Sequence, residues 1–518
     1  MIKNIWSKLR LDHLYYFIAA LVGARLFTRC LQGWGKVHLP NFGFQNLWMG
    51  LLITVAFHLF ILALAWIYSK WIIRLSPLIL YPGFLLGFYF ISLLNSLTLF
   101  LPEPLLLRLI LAGLIAGPIL KACRSKNNIR PLFSRPSARQ WMGIALIGLW
   151  LIHSGLFFLE INLQPDRKPF VDESTFWYPA AEEIILTGGL PSRAGNLSAT
   201  SAHPYGIPFI AALPAMTAGF RHPSAAYFMP FAVILTLTVF LASIRDNKWA
   251  LLFFLTALFV TFNSRGWPGE LLYARIYGEG LSTVFFLAVC FELRRLTDET
   301  RIPAIEFYTL CFVFGLLALT KFPLAAVWPI FLLPLMILYG RQRSPRQSLM
   351  AAVSGLLLSF IPLLTWLIFK ARHQITNRPH QPDWAALAQR LATPNLDMLT
   401  RVYQHLINQA PDGTAFALIA TAFFIAEKPK KYTSIFSTIL LFGGLIIFYY
   451  GYIYHYGRLG GDHASSLRYL MPMTLALFYF GALGYENVMQ RIAAASWPKI
   501  LTWGASLILL GLFIPKLF

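Results

Sequence analysis

The chain is 518 residues long, 57% hydrophobic and only 12% charged, with a formal net charge of +22. A soluble domain carries about 25% charged residues, so this balance excludes an ordinary soluble protein. The positive excess gathers in short loops between long apolar runs, as in the cytoplasmic loops of a membrane protein, which sets nucleic acid aside as a partner.

The N-terminal stretch MIKNIWSKLRLDHLYYF places basic residues before an apolar run with no small-residue cleavage site after it, so a retained first helix is expected. Further apolar runs follow, among them 47–69, 76–101, 141–159, 348–369 and 434–454. Each is long enough to cross the hydrocarbon layer as a helix, and none alternates as a barrel strand would. The expected fold is therefore all-α and polytopic, with about 15 spans and interfacial helices in the loops between them.

Three units are expected: a four-span N-terminal module over 1–139, a transmembrane core over 140–485 and a C-terminal span over 486–518. The first two meet in KACRSKNNIRPLFSRPSAR, which holds six Lys or Arg and no acid and marks the cytoplasmic side. Residues 205–220 are apolar but short and contain Pro208 and Pro214. If they crossed the membrane, the basic loops at 245–248, 294–301, 340–346 and 427–432 would face outward. They are therefore expected to lie along or dip into the outer face. That leaves four outer loops, 161–225, 264–276, 370–412 and 456–467. The four cysteines (Cys30, Cys123, Cys290 and Cys311) give neither a disulfide framework nor a zinc site.

The first outer loop carries the adjacent acids Asp172 and Glu173. A helix is expected from about Thr175 to Leu186, ended by Gly188 and Gly189. Phe176, Trp177, Ala180, Ala181, Ile184 and Ile185 would share its apolar face at the membrane interface, with Glu182 and Glu183 toward water. Asp172 or Ser174 would serve equally as a helix cap. In the second outer loop Glu270, Arg275 and Glu279 stand close together just before an apolar helix, which Glu279 could simply cap. Residues 384–406 show two short amphipathic helices, and HYGRLGGDHASSLRYLMPM presents Arg468, suited either to phosphate or to a snorkelling position at a helix end.

The order of these features resembles the C-type glycosyltransferase superfamily, which includes protein O-mannosyltransferases and lipid A aminoarabinose transferases. The resemblance rests on an outward helix over 141–160, the Asp172–Glu173 pair, the helix over 175–186 and the segment His203-Pro204-Tyr205-Gly206-Ile207-Pro208. It covers residues 140 to about 485, and the family often has Lys-Pro-Pro where this chain has His203-Pro204-Tyr205.

The resemblance implies an inverting transfer of a sugar from a polyprenyl-phosphate-type donor to a hydroxyl of a glycan, lipid or protein, outside a bacterial inner membrane. Asp172 would be the general base, with Glu173 beside it. Arg468, Arg275 and His203 would meet the donor phosphate, and Glu279 with Glu173 would hold Mg²⁺ or Mn²⁺ if a metal is used. Two other readings stay open. A glycan polymerase or ligase would rest on Arg401, His405 and Arg458, and a lipid-linked glycan transporter would need charges inside the spans, where only Arg25, Arg29 and Arg108 stand.

Overall fold

The computed structural model describes residues 11–34, 45–98, 101–124, 138–163, 176–191, 204–262, 267–275, 278–320, 328–341, 343–375, 417–423 and 464–494. Their regular structure is helical, with no β-strand among them. In chain order the helices are α1 (Leu11–Trp34), α2 (Gln45–Trp71), α3 (Pro77–Thr98), α4 (Glu103–Arg124), α5 (Ala138–Asn162), α6 (Tyr178–Thr187), α7 (Gly206–Ala218), α8 (Phe231–Ile244) and α9 (Lys248–Phe262). They continue with α10 (Trp267–Tyr273), α11 (Gly278–Leu296), α12 (Ala304–Leu317), α13 (Trp328–Gly340), α14 (Pro345–Arg372) and α15 (Ala464–Ala494). A 3₁₀ turn, Pro223–Phe228, leads into α8.

Among the described residues, seven helical segments are long and apolar enough to cross a membrane: α1 to α5, the turn plus α8, and α14. This does not confirm the expected count of about 15 spans. Helices α7, α9 and α12 have 13 to 15 residues, short of the roughly 20 that cross the hydrocarbon layer. Helix α11 is long enough but carries Glu279, Glu292, Arg294 and Arg295. The runs at 434–454 and 495–518 lie outside the described residues.

The helices sort into two ends. At one, Gln140 donates to Asp246 across 2.7 Å, and Lys248 stands over the rings of Tyr15 and Trp249. Glu486 accepts from the Trp249 and Ala250 amides, which caps α9 from a distant helix. Buried Glu292 pairs with Arg295 at 2.6 Å and accepts the Ser76 amide, while Arg295 donates to the Arg74 carbonyl. Arg343 covers the Tyr339 ring there. The basic loops at 245–248, 294–301 and 340–346 thus share one end, while that at 427–432 lies outside the described residues.

At the other end, Arg372 donates to the Leu97 carbonyl and the Ser224 hydroxyl donates to the Asn46 carbonyl. Asn95 ties α3 to α4 through Leu101 and Glu103. The Pro-containing α7 has both its ends here. Its N-terminus meets Tyr89, Leu319 and Trp366, and Arg108 donates to the Thr217 carbonyl in its last turn. It does not cross the bundle. Residues 206–216 are all buried, because neighbouring helices enclose it on every side.

Helices α2 and α3, expected in the four-span N-terminal module, make contacts with helices of the expected core. A Cβ at Gly50 would meet Ala225 at 2.9 Å, and Gly83 sits against Val313. The expected boundary at 485/486 falls inside α15, where Glu486 points back to α9.

Candidate functional site

The site is built where the loops expected over 161–225 and 264–276 leave the bundle. Helix α5 ends at Asn162, whose amide donates to Phe158 in its own last turn at 3.0 Å and to the Ala274 carbonyl at 2.9 Å. Asn162 is 2% exposed, so this bond is made away from water and fixes the first loop's exit beside the peptide preceding Arg275. The Arg275 guanidinium donates twice to one Glu270 oxygen, at 3.2 Å from Nε and 3.0 Å from Nη2. Arg275 is 9% exposed and Glu270 about a fifth, so the pair is largely shielded. Glu270 lies in the first turn of α10 and Glu279 in the first turn of α11, where exposed amides favour a negative charge. Glu279 is 2% exposed.

Toward the membrane, Trp150, His153, Ser154 and Phe157 of α5, Leu258, Phe259 and Phe262 of α9, and Tyr273 of α10 line a small pocket. Its walls are mostly aromatic, with Trp150 edge-on to Tyr273 and His153 tilted against Phe259.

A second group of residues comes from α6 and the chain before α7. Helix α6 starts at Tyr178 with Pro179 in its first turn and stops at Gly188, whose φ of 71° suits a residue without a Cβ. Its cap position is Trp177, which offers no oxygen. Trp177, Ala180, Ala181, Ile184 and Ile185 are buried as expected, but against α7 and the 223–228 turn rather than in lipid. Tyr178 stacks on Tyr227 at 4.4 Å, and Phe228 of the same turn meets Phe158 of α5. The turn therefore joins the two groups.

Tyr205 is fully buried. Its amide donates to the Tyr89 hydroxyl at 3.0 Å, and its ring stands edge-on to Trp366. Burial first, and the Glu183 carboxylate second, push its phenol well above the ordinary value. Glu182 and Glu183, expected toward water, are both partly exposed.

Of the predicted site residues, Arg275 follows α10 and Glu279 lies in the first turn of α11. Arg468 falls in the second turn of α15, which begins at Ala464, inside the loop expected over 456–467. Asp172, Glu173 and His203, the alternative cap Ser174 and the amphipathic stretches over 384–406 lie outside the described residues. The predicted set did not include Asn162, Glu270 as the partner of Arg275, Glu183 or Tyr205. Among the described residues no group of three or more His, Cys, Asp or Glu is placed to hold a metal ion. No family model, curated protein or solved structure matches this chain.

Proposed function

We propose that this chain is a membrane glycosyltransferase that moves a sugar from a polyprenyl-phosphate-type carrier to a hydroxyl at the extracytoplasmic face, in the manner of the C-type superfamily it resembles. The observation that carries the reading is the Asn162–Ala274 hydrogen bond. It brings the exit of the loop that bears Asp172 and Glu173 next to the shielded Arg275–Glu270 pair and close in sequence to buried Glu279.

The acceptor oxygen attacks the anomeric carbon, Asp172 takes its proton, and the bond to the carrier phosphate breaks with its electrons leaving on that phosphate. Attack opposite the phosphate inverts the carbon. Arg275, Arg468 and His203 meet the charge that grows on the leaving group. Glu270 holds the Arg275 guanidinium in one orientation, so little reorganisation is needed as that charge develops. Among the described residues Glu279 belongs to no group of three or more His, Cys, Asp or Glu, and a site for Mg²⁺ or Mn²⁺ would need Glu173 and further oxygens beside it. The acceptor is a glycan, lipid or protein hydroxyl, and the setting is a bacterial plasma membrane.

The test uses membranes containing the full chain and a radiolabelled sugar on a polyprenyl phosphate. Asp172→Asn keeps size and capping ability but loses the base, so insertion and carrier binding persist while transfer falls about 10²–10⁴-fold. Undiminished transfer by this variant rejects the assignment.

A further inference from the structure

Arg108 stands on α4, inside the apolar span Glu103–Lys121, and is exposed. Its Nε donates to the Thr217 carbonyl at 3.4 Å, and its Nη2 lies 3.2 Å from where a Cβ on Gly219 would sit. The end of α7 thus fixes the guanidinium while taking one of its five N–H donors. Arg221, also exposed, follows two residues after Gly219, so its Cα lies within about 7 Å of that glycine. Among the described residues no carboxylate pairs with either arginine.

The surface around Arg108 says what reaches it. Leu105, Leu109, Ile115 and Ile119 of α4 are exposed, and at roughly 100° per residue all four fall within about 100° of Arg108 around the helix. Arg108 therefore sits on the lipid-facing stripe itself. From Arg108 to Ile119 that stripe runs about 16 Å along the axis, which is close to half of the roughly 30 Å hydrocarbon layer and so to the depth of one leaflet. Helix α4 begins at the outer end with Glu103, and the Arg108 Cα lies about 7.5 Å further in. Side chains lean toward a helix N-terminus, here outward, so the guanidinium rises toward the headgroups while the stripe below it meets acyl chains.

We propose that Arg108 and Arg221 hold the phosphate of an anionic phospholipid of the outer leaflet, whose chains lie along α4 from Leu109 to Ile119. Two guanidinia present forked donors to one phosphate. A lipid of net negative charge offsets one of the two arginines, whereas phosphatidylcholine carries its own cation and offsets neither. A free anion meets the same donors but leaves Ile115 and Ile119 uncovered. The site stands apart from the proposed transfer chemistry and does not depend on it.

The experiment compares wild type with an Arg108→Gln/Arg221→Gln double variant in nanodiscs of phosphatidylglycerol or phosphatidylcholine. Retained lipid is read by native mass spectrometry after transfer to detergent, and stability by thermal unfolding. Wild type retains phosphatidylglycerol and melts higher in that lipid. The double variant retains about tenfold less, as the loss of two charge-assisted contacts implies, and melts alike in both lipids. Arg221→Gln alone leaves the Arg108–Thr217 bond in place, so it keeps the protein folded and still lowers retention about threefold. Equal retention by wild type and Arg221→Gln overturns the shared phosphate, and equal preference of wild type for the two lipids overturns the anionic headgroup. A stabilisation reproduced in detergent by inorganic phosphate alone assigns the arginines to a soluble anion and overturns the lipid.

Discussion

At the residue scale, the shielded Arg275–Glu270 pair makes the sharpest prediction. Glu270→Gln removes the carboxylate that takes two donors from a guanidinium in a poorly hydrated place. A loss of about 2 kcal/mol is expected in thermal unfolding, below the 3–5 kcal/mol of a fully buried pair because Glu270 keeps some exposure. Adding Arg275→Gln should return part of that loss, since the guanidinium that lost its Glu270 contacts is then gone too. If the double variant is as unstable as the sum of the two singles, the pair is not coupled. Transfer behaves differently: Arg275→Gln lowers it with or without Glu270, because the proposed role of the arginine lies with the leaving phosphate. Asn162→Leu matches the volume but removes both donated bonds, and transfer should fall in it more than stability does.

At the element scale, close approaches between helix backbones set the tolerance for change. A Cβ at Gly315 of α12 would collide with the Ser359 carbonyl of α14, and neither partner is a flexible side-chain end. Gly315→Ala is therefore expected to cost about 1–3 kcal/mol by forcing the two helices apart, read as a lowered unfolding temperature. Glu486→Ala removes the acceptor for two α9 amides and should cost about 1 kcal/mol, with Glu486→Gln milder because it keeps an oxygen. These elements also show what was legible in the sequence. Long apolar runs and glycine stops are local signals, so α2, α3, α5, α14 and the end of α6 at Gly188 were readable to within a few residues. Glu486 meets Trp249 and Asn162 meets Ala274 across more than a hundred residues, and no local pattern encodes such pairs. The burial of α6 against protein depends on α7 and the 223–228 turn arriving beside it, which periodicity alone does not report.

At the scale of the whole molecule, the sorting of basic loops to one end predicts a sidedness. With Cys123 replaced by Ser, the remaining Cys30, Cys290 and Cys311 are buried and serve as a silent background. Thr187→Cys should react with a membrane-impermeant maleimide on intact cells, and Asn247→Cys only after lysis. Labelling of both from the same side would sink the arrangement. One consequence concerns synthesis. Segment 205–218 is walled in by Tyr89, already made, but also by Leu319 and Trp366, which leave the ribosome more than a hundred residues later. Until then a greasy, proline-bearing stretch waits at the surface of a half-built protein. A nascent chain stopped at residue 344 should therefore be cut by an external protease near Tyr205, whereas the finished chain resists, and the interval between those states is when a chaperone or a wrong insertion would compete for it.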